Sequence, residues 1–460
     1  MYGSGTELAP VFQALAIHLI ISRRIAKGRF AMRKDPTSER KMALSDLSNS
    51  LKSETSMNSD PSHRTFCVRR HAAGLLLAGF GFGVALPSAF AAPPPPEQLI
   101  TTPYVVFGYN DLGMHCMNGD YSEMLVLPPF NTLRAQILRR GTEPDMITSS
   151  GDVIVRYFTP TVTHAADKSN FWRYPTLGAI APNMGVAGYG LRGTMGRTSG
   201  ENDWNAVGIP MIPIEDSGRD NPYPLATIEV RDRNTSALLA RTQAVVPVST
   251  EMSCFLCHNT AGISTASDIL KAHDRLHGTD LMAHRPVLCA NCHADNALGL
   301  PGTPGVSNLS NAMHSAHASR MGQVNLAQTC YACHPGVRTQ CQRDVHFANN
   351  VTCTNCHGDM AAVGNPARNP WVDEPKCSNC HSRANFTFEQ PGKLYKQSVN
   401  HGSVHCAACH GSPHAITPTV TEVDNLQAVN LQGHTGTIDT CTVCHGPAGP
   451  PGSFFHKVDN

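Results

Sequence analysis

The pattern Cys-x-x-Cys-His occurs seven times between residues 254 and 445, at Cys254/Cys257/His258, Cys289/Cys292/His293, Cys330/Cys333/His334, Cys353/Cys356/His357, Cys377/Cys380/His381, Cys406/Cys409/His410 and Cys441/Cys444/His445. Two thiols three positions apart reach the two vinyl groups of one porphyrin and hold it through thioether bonds. The next histidine then lies under the iron as an axial ligand. The repeated pattern therefore predicts seven covalently bound haems c, with the fourteen cysteines attaching the cofactor and the seven histidines ligating its iron. Zinc ribbons also pair Cys-x-x-Cys units, but they need no histidine after every pair. About 27 residues per motif is near the minimum chain that could wrap each porphyrin. The porphyrins are expected to pack against one another, close enough for electrons to pass between neighbours, and to stand in for an apolar core.

Whether such a row only conducts depends on the second axial ligands. Thirteen histidines downstream of residue 91 lie outside the motifs: His115, His164, His273, His277, His284, His314, His317, His346, His401, His405, His414, His434 and His456. Seven suffice for bis-histidine ligation throughout, so methionine is not required. A histidine a few residues from an attachment motif is held by that anchor and can reach an adjacent haem. On this ground His273, His314, His317, His346, His401, His414 and His434 are the expected iron ligands, with His277, His284 and His405 as replacements. His456, in the tail Phe454-Phe455-His456, is expected to be a packing residue.

The rest of the chain divides by composition. Arg69 and Arg70 precede an apolar run over residues 72–86 and the sequence Ala89-Phe90-Ala91, the order of a secretory signal and its cleavage site. The expectation is that residues 1–91 are an over-long start, with Met57 the true one, plus a signal peptide, and that residues 92–101, with prolines at 93–96, are a stiff leader. The apolar stretch 11–21 is short of the roughly 20 residues a membrane helix needs, so no membrane span is expected. Cys67 precedes the apolar run and does not offer a lipid anchor. A formal net charge of +1 argues against nucleic acid or an anionic membrane as partner.

Residues 102–249 hold one cysteine and two histidines, and residues 250–460 hold the motifs, which sets a boundary near Ser249. In the first part, residues 104–109, 133–138, 152–158 and 226–231 have strand character. Residues 226–231 alternate apolar and polar, turn at 232–236 and run into the apolar segment 237–248, the pattern of a β-hairpin in an antiparallel sandwich. The second part has little regular secondary structure, with short helices such as 266–276. The fold class expected is a β-rich N-terminal domain (102–249) followed by a heptahaem c domain (250–460).

The motif array, together with His401-Gly402-Ser403-Val404-His405-Cys406 and Cys409-His410-Gly411-Ser412-Pro413-His414, resembles the multihaem c-type cytochromes of the periplasm and outer surface of metal-reducing and related bacteria. The resemblance covers roughly residues 250–450. It implies bis-histidine haems that carry electrons in extracytoplasmic respiration, redox partner proteins such as other cytochromes or a terminal acceptor, and, in some members, assembly into homo-oligomers or filaments. The rival function is a multihaem reductase of a nitrogen or sulfur oxyanion with one open iron. That class often carries a Cys-x-x-Cys-Lys variant, and all seven motifs here are regular, so an electron carrier is the preferred reading over a catalyst.

The segment Asn110-Asp111-Leu112-Gly113-Met114-His115-Cys116-Met117-Asn118 also looks like one found in such cytochromes. His115 could ligate a haem of its own chain or of a neighbouring subunit, but a local structural role is preferred. Asp111, Asn118 and Asp120 could offer oxygens to calcium, but their spacing is not that of an EF-hand and favours turns. Cys116 and Cys341 are the two cysteines downstream of residue 91 outside the motifs, and an oxidising compartment allows a disulfide between them.

Overall fold

The computed structural model describes residues 102–447, except residue 385. The expected signal segment, the leader and His456 lie outside the described residues.

Among the described residues fifteen strands run in chain order: β1 (Tyr104–Asn110), β2 (His115–Cys116), β3 (Met124–Leu125), β4 (Asn131–Arg139), β5 (Asp145–Met146), β6 (Val153–Phe158), β7 (Arg192–Thr194), β8 (Gly196–Arg197), β9 (Trp204–Ile209), β10 (Leu225–Asp232), β11 (Leu238–Val245), β12 (Val248–Ser249), β13 (Val287–Leu288), β14 (Val399–Asn400) and β15 (Val404–His405). One sheet has the order β1-β4-β9-β8 with β5 on β4, and a second has the order β11-β10-β6-β7. All their pairings are antiparallel. Val106, Leu133, Ala135 and Ile137 of the first sheet and Val153, Val155, Ala226, Ile228 and Val230 of the second share one buried cluster, so the two sheets face each other across a common core.

The four strands expected from the sequence are β1, β4, β6 and β10. The hairpin from β10 to β11 is also present, in the register Val230↔Ala240. Its turn is made by Asp232, whose carboxylate accepts the backbone N–H groups of Asn234 at 2.9 Å and Thr235 at 2.7 Å.

β1 does not alternate: six of its seven residues are buried. Val106 points into the sandwich, while Val105, Phe107 and Tyr109 join a second cluster with Val404, Ala407, Ala408, Ala428, Leu431, Ile438 and Val443. The later part of the chain therefore covers the outer face of the first sheet.

That later part contains α1 (Thr265–His277), α2 (Leu309–Ala318), α3 (Val345–Ala348), α4 (Cys353–His357), α5 (Met360–Val363), α6 (Cys406–His410), α7 (Glu422–Gln432) and α8 (Thr442–His445), with single 3-10 turns between them. Helix α1, expected at 266–276, starts where the Ser264 hydroxyl accepts the N–H of Ser267 and ends at Gly278, whose φ of 65° is left-handed. Among the described residues between 254 and 400 the buried hydrophobic side chains are few: Leu270, Leu288, Ala290, Met321, Tyr331 and Ala332. Protein side chains alone make no continuous core there. Polar clasps tie the regions together: the Glu251 carboxylate, just past β12, accepts the N–H groups of Val337 at 2.8 Å and Thr339 at 2.7 Å. Among the described residues no helix is long and apolar enough to cross a membrane.

Ile228, fully buried between the sheets, gives a direct check on the sandwich. Ile228→Ala should lower stability by about 2–5 kcal/mol in denaturant unfolding. A change near zero would mean that the two sheets do not share this core.

Candidate cofactor centres

Each Cys-x-x-Cys-His closes as one helical turn. The N–H of His258, His293, His334, His381 and His445 donates to the carbonyl of the first cysteine of its own motif at 2.9–3.0 Å, and the motifs of His357 and His410 are the short helices α4 and α6. In such a turn, positions i, i+3 and i+4 share one side. Two thiols and one imidazole therefore point the same way from every motif.

Among the described residues, six motif histidines face a histidine from elsewhere in the chain. The ring centroids are 6.3 Å apart for His258 and His317, 6.3 Å for His293 and His273, 6.0 Å for His334 and His314, 6.1 Å for His381 and His346, 6.0 Å for His357 and His414, and 6.0 Å for His445 and His401. Two imidazoles on opposite sides of one metal atom, each about 2 Å from it through a nitrogen, have centroids roughly 6 Å apart. The gap in each pair is the width of one axial metal.

The other ring nitrogen is held in most of these histidines. Nδ1 lies 2.8 Å from the Ser307 carbonyl in His293, 2.8 Å from the Thr142 carbonyl in His445, 2.7 Å from the Ser310 carbonyl in His314 and 2.7 Å from the Met313 carbonyl in His317. A carbonyl only accepts, so Nδ1 carries the proton and Nε2 keeps its lone pair for a metal. His273 behaves alike: the Thr279 hydroxyl, 2.9 Å away, donates to Asp274 and so accepts from Nδ1. In His346 the partner is the Asp344 carboxylate at 3.2 Å, and in His414 it is the Cys341 sulfur at 3.6 Å.

The six partners are His273, His314, His317, His346, His401 and His414, all among the seven named from the sequence. His434 is placed differently. It sits on an exposed turn after α7, with Nδ1 2.9 Å from the Thr435 carbonyl and Nε2 3.5 Å from the Asp439 carboxylate. The remaining motif histidine, His410, has Nδ1 3.4 Å from the Thr437 hydroxyl. Of the replacements, His277 lies against His273, His284 is exposed, and His405 is fully buried with both ring nitrogens lacking a hydrogen bond.

The thiols order the motifs in space. Burial, and then the nearby Cys254 and Cys257, push Cys333 up to about 11. Cys330 and Cys353 share a hydrogen bond that lowers the first and raises the second. Cys356 is raised by burial and then by Cys380. Cys406 is pushed up to about 11 by burial and then by Cys377, and Cys409 to about 12 by burial and then by Cys444. The first motif thus neighbours the third, and the third to seventh follow in chain order. Helix α2 makes the first of these links, since His314 and His317, one turn apart on it, face the histidines of the third and first motifs.

The fourteen motif thiols differ in exposure. Cys257, Cys292, Cys356, Cys377 and Cys380 are exposed, while the other nine are half-buried. Cys292 is one of the exposed five. Its partner Cys289 follows β13 inward and is pushed up to about 12, mainly by burial, with Asp295 and Cys292 adding to the effect. The turn Cys289–Asn291 then brings the chain back to the surface at Cys292, where its backbone carbonyl accepts the Thr303 N–H at 2.8 Å and its sulfur faces solvent. The second motif pairs its histidine with His273.

The segment 110–118 holds no converging ligand set. Burial lowers His115 to about 4, and its Nε2 faces the Pro128 carbonyl, a local structural role. Asp111 pairs with Arg134 at 3.3 Å, Asn118 accepts the N–H groups of Val126 and Leu127, and Asp120 accepts that of Ser122. Cys116 and Cys341 come near enough to feel each other's charge, yet stand as two free thiols rather than a disulfide. The contact between Cys341 and His414 had no signal in the sequence, because the two are far apart along the chain.

No protein-family model matches the chain, and no curated protein matches it.

Alkylation of the denatured protein without reductant should modify both Cys116 and Cys341, read by peptide mass. Protection of both, lifted by reductant, would mean that they are bonded.

Proposed function

We propose that the chain is a multihaem c-type electron carrier, holding seven haems c through its fourteen motif cysteines and passing electrons along the row. The observation that carries this reading is the set of six histidine pairs, each spaced for one axial metal and most with Nε2 left open. Among the described residues no three His, Cys, Asp or Glu side chains converge as a metal site, so the donors come as axial pairs and not as the tetrads of structural zinc. Haem iron, when bound, supplies a one-electron couple. The chain's own residues do the rest. Cysteines would fix each group covalently, the six histidine pairs would hold six of the irons from both sides, and carbonyls on Nδ1 of His293, His314, His317 and His445 hold those rings in orientation and raise their basicity. The thiol order supports a continuous path through the first motif and the third to seventh. The scarcity of buried apolar side chains between residues 254 and 400 leaves the volume that stacked porphyrins would fill. An exposed sulfur such as Cys292 fits an edge of the row, where a porphyrin would meet solvent or a redox partner.

The signal-like residues 69–91 support export to the periplasm or cell surface, where electrons would be exchanged with other redox proteins or a terminal acceptor. The rival reading, a reductase of a nitrogen or sulfur oxyanion, requires one iron with an open position.

The purified protein should contain seven haems by absorbance, and carbon monoxide added to the reduced form should leave its spectrum nearly unchanged. A colourless protein would end the proposal, and a full-strength adduct on one haem of the native chain would favour the reductase. His317→Ala should create a carbon monoxide adduct on about one haem in seven, whereas His434→Ala should create none. The opposite result would overturn the pairing of His258 with His317.

A further inference from the structure

Resting on that reading and going beyond it, we infer that residues 110–116 of the sheet region are a positioning clamp for His414, and through it set the axial ligation of the centre formed with His357.

His414 has a φ of 59°. This is a left-handed conformation that non-glycine residues keep only where their surroundings over-determine it. Three contacts do so. Asn110 accepts the N–H groups of Leu112 at 3.0 Å and Gly113 at 2.8 Å through its side-chain oxygen, which folds the segment into a tight turn. Its own N–H donates to the Ser412 hydroxyl at 3.0 Å. Gly113, with φ of 78°, is then pressed against the loop ahead of His414: a Cβ there would lie 2.1 Å from the Pro413 carbonyl oxygen and 3.2 Å from the His414 Cβ.

Arg343 ties these parts together. Its backbone N–H donates to the His414 carbonyl at 2.9 Å, and its guanidinium donates to the Gly113 and Cys341 carbonyls at 3.1 Å each. The guanidinium is wholly buried and held by Asp424 at 2.6 and 2.8 Å. Cys341, so positioned, supplies the sulfur against Nδ1 of His414. Sulfur is a weak acceptor, whereas four of the other paired histidines face backbone carbonyls. The imidazole of His414 is therefore the less basic ligand, and a better acceptor at position 341 would stabilise the oxidised iron.

The test uses the matured holoprotein, after the wild type has been found to carry haem. Wild type without haem defeats the electron-carrier reading and is recognised before any variant is compared. Gly113→Ala should displace the Pro413–His414 loop and give a carbon monoxide adduct and a high-spin signal on about one haem in seven. Gly119→Ala, whose added Cβ meets nothing within 4 Å, should give neither. Cys341→Ser should lower the midpoint potential of one haem without creating an adduct. The inference is overturned if Gly113→Ala protein with full haem content matches wild type in both spectra. If that variant does not accumulate, Cys341→Ser decides, and unchanged potentials at every haem reject the role.

Discussion

Everything in the later half of the chain depends on a single closure, the hydrogen bond or helical turn that brings each motif histidine back over its first cysteine. A single turn fixes several backbone dihedrals for one hydrogen bond, so it has to be held by what surrounds it. It turns three reactive side chains to one side, and repeated seven times it creates surfaces that want an occupant. The region between residues 254 and 400 has little else to hold it: short helices, single turns and few buried apolar side chains. The sandwich follows the opposite logic, being stabilised by a common apolar core whose members are 0–2% exposed in most cases.

Much of this was legible in the residues. The strands announced themselves by alternation and by the turn chemistry at Asp232, and the histidines facing the motifs by their nearness in sequence to a Cys-x-x-Cys-His motif. Three features were not legible, for reasons of geometry. His434 has the right distance in sequence from Cys441, but Gly433 ends α7 in a left-handed conformation and turns the next residue toward solvent. Sequence spacing carries no direction. For the same reason the motif pattern could not separate Cys292, at the surface, from Cys289 three residues earlier, since one turn is enough to leave the interior. The segment 110–118 could be described but not interpreted, because its partners, Pro413, His414 and Arg343, lie hundreds of residues away and meet it only when the second region covers β1.

That covering is made specific by polar side chains, the buried Gln136 and the half-buried Gln427, as well as by the apolar face of β1. Gln427 of α7 accepts from the Gly108 N–H at 2.6 Å and the Thr242 hydroxyl at 2.9 Å, while Gln136 of β4 accepts the N–H of His405 and donates to the Ser403 carbonyl. Apolar contact tolerates sliding, but a buried amide left unpaired is costly. These pairings therefore select one register of the motif-bearing chain against the sheet.

Helix α2 carries His314 and His317 to two different motif histidines. Three residues of helix advance about 4.5 Å along the axis and bring the side chain back to within about 60° of its starting direction, so the helix acts as a ruler between the first and third motifs. In the proposed reading, the electronic coupling across that step is built into backbone stereochemistry. Loops elsewhere can fluctuate without altering it, and insertion of a single residue between the two rings would swing one of them away from the motif histidine it faces.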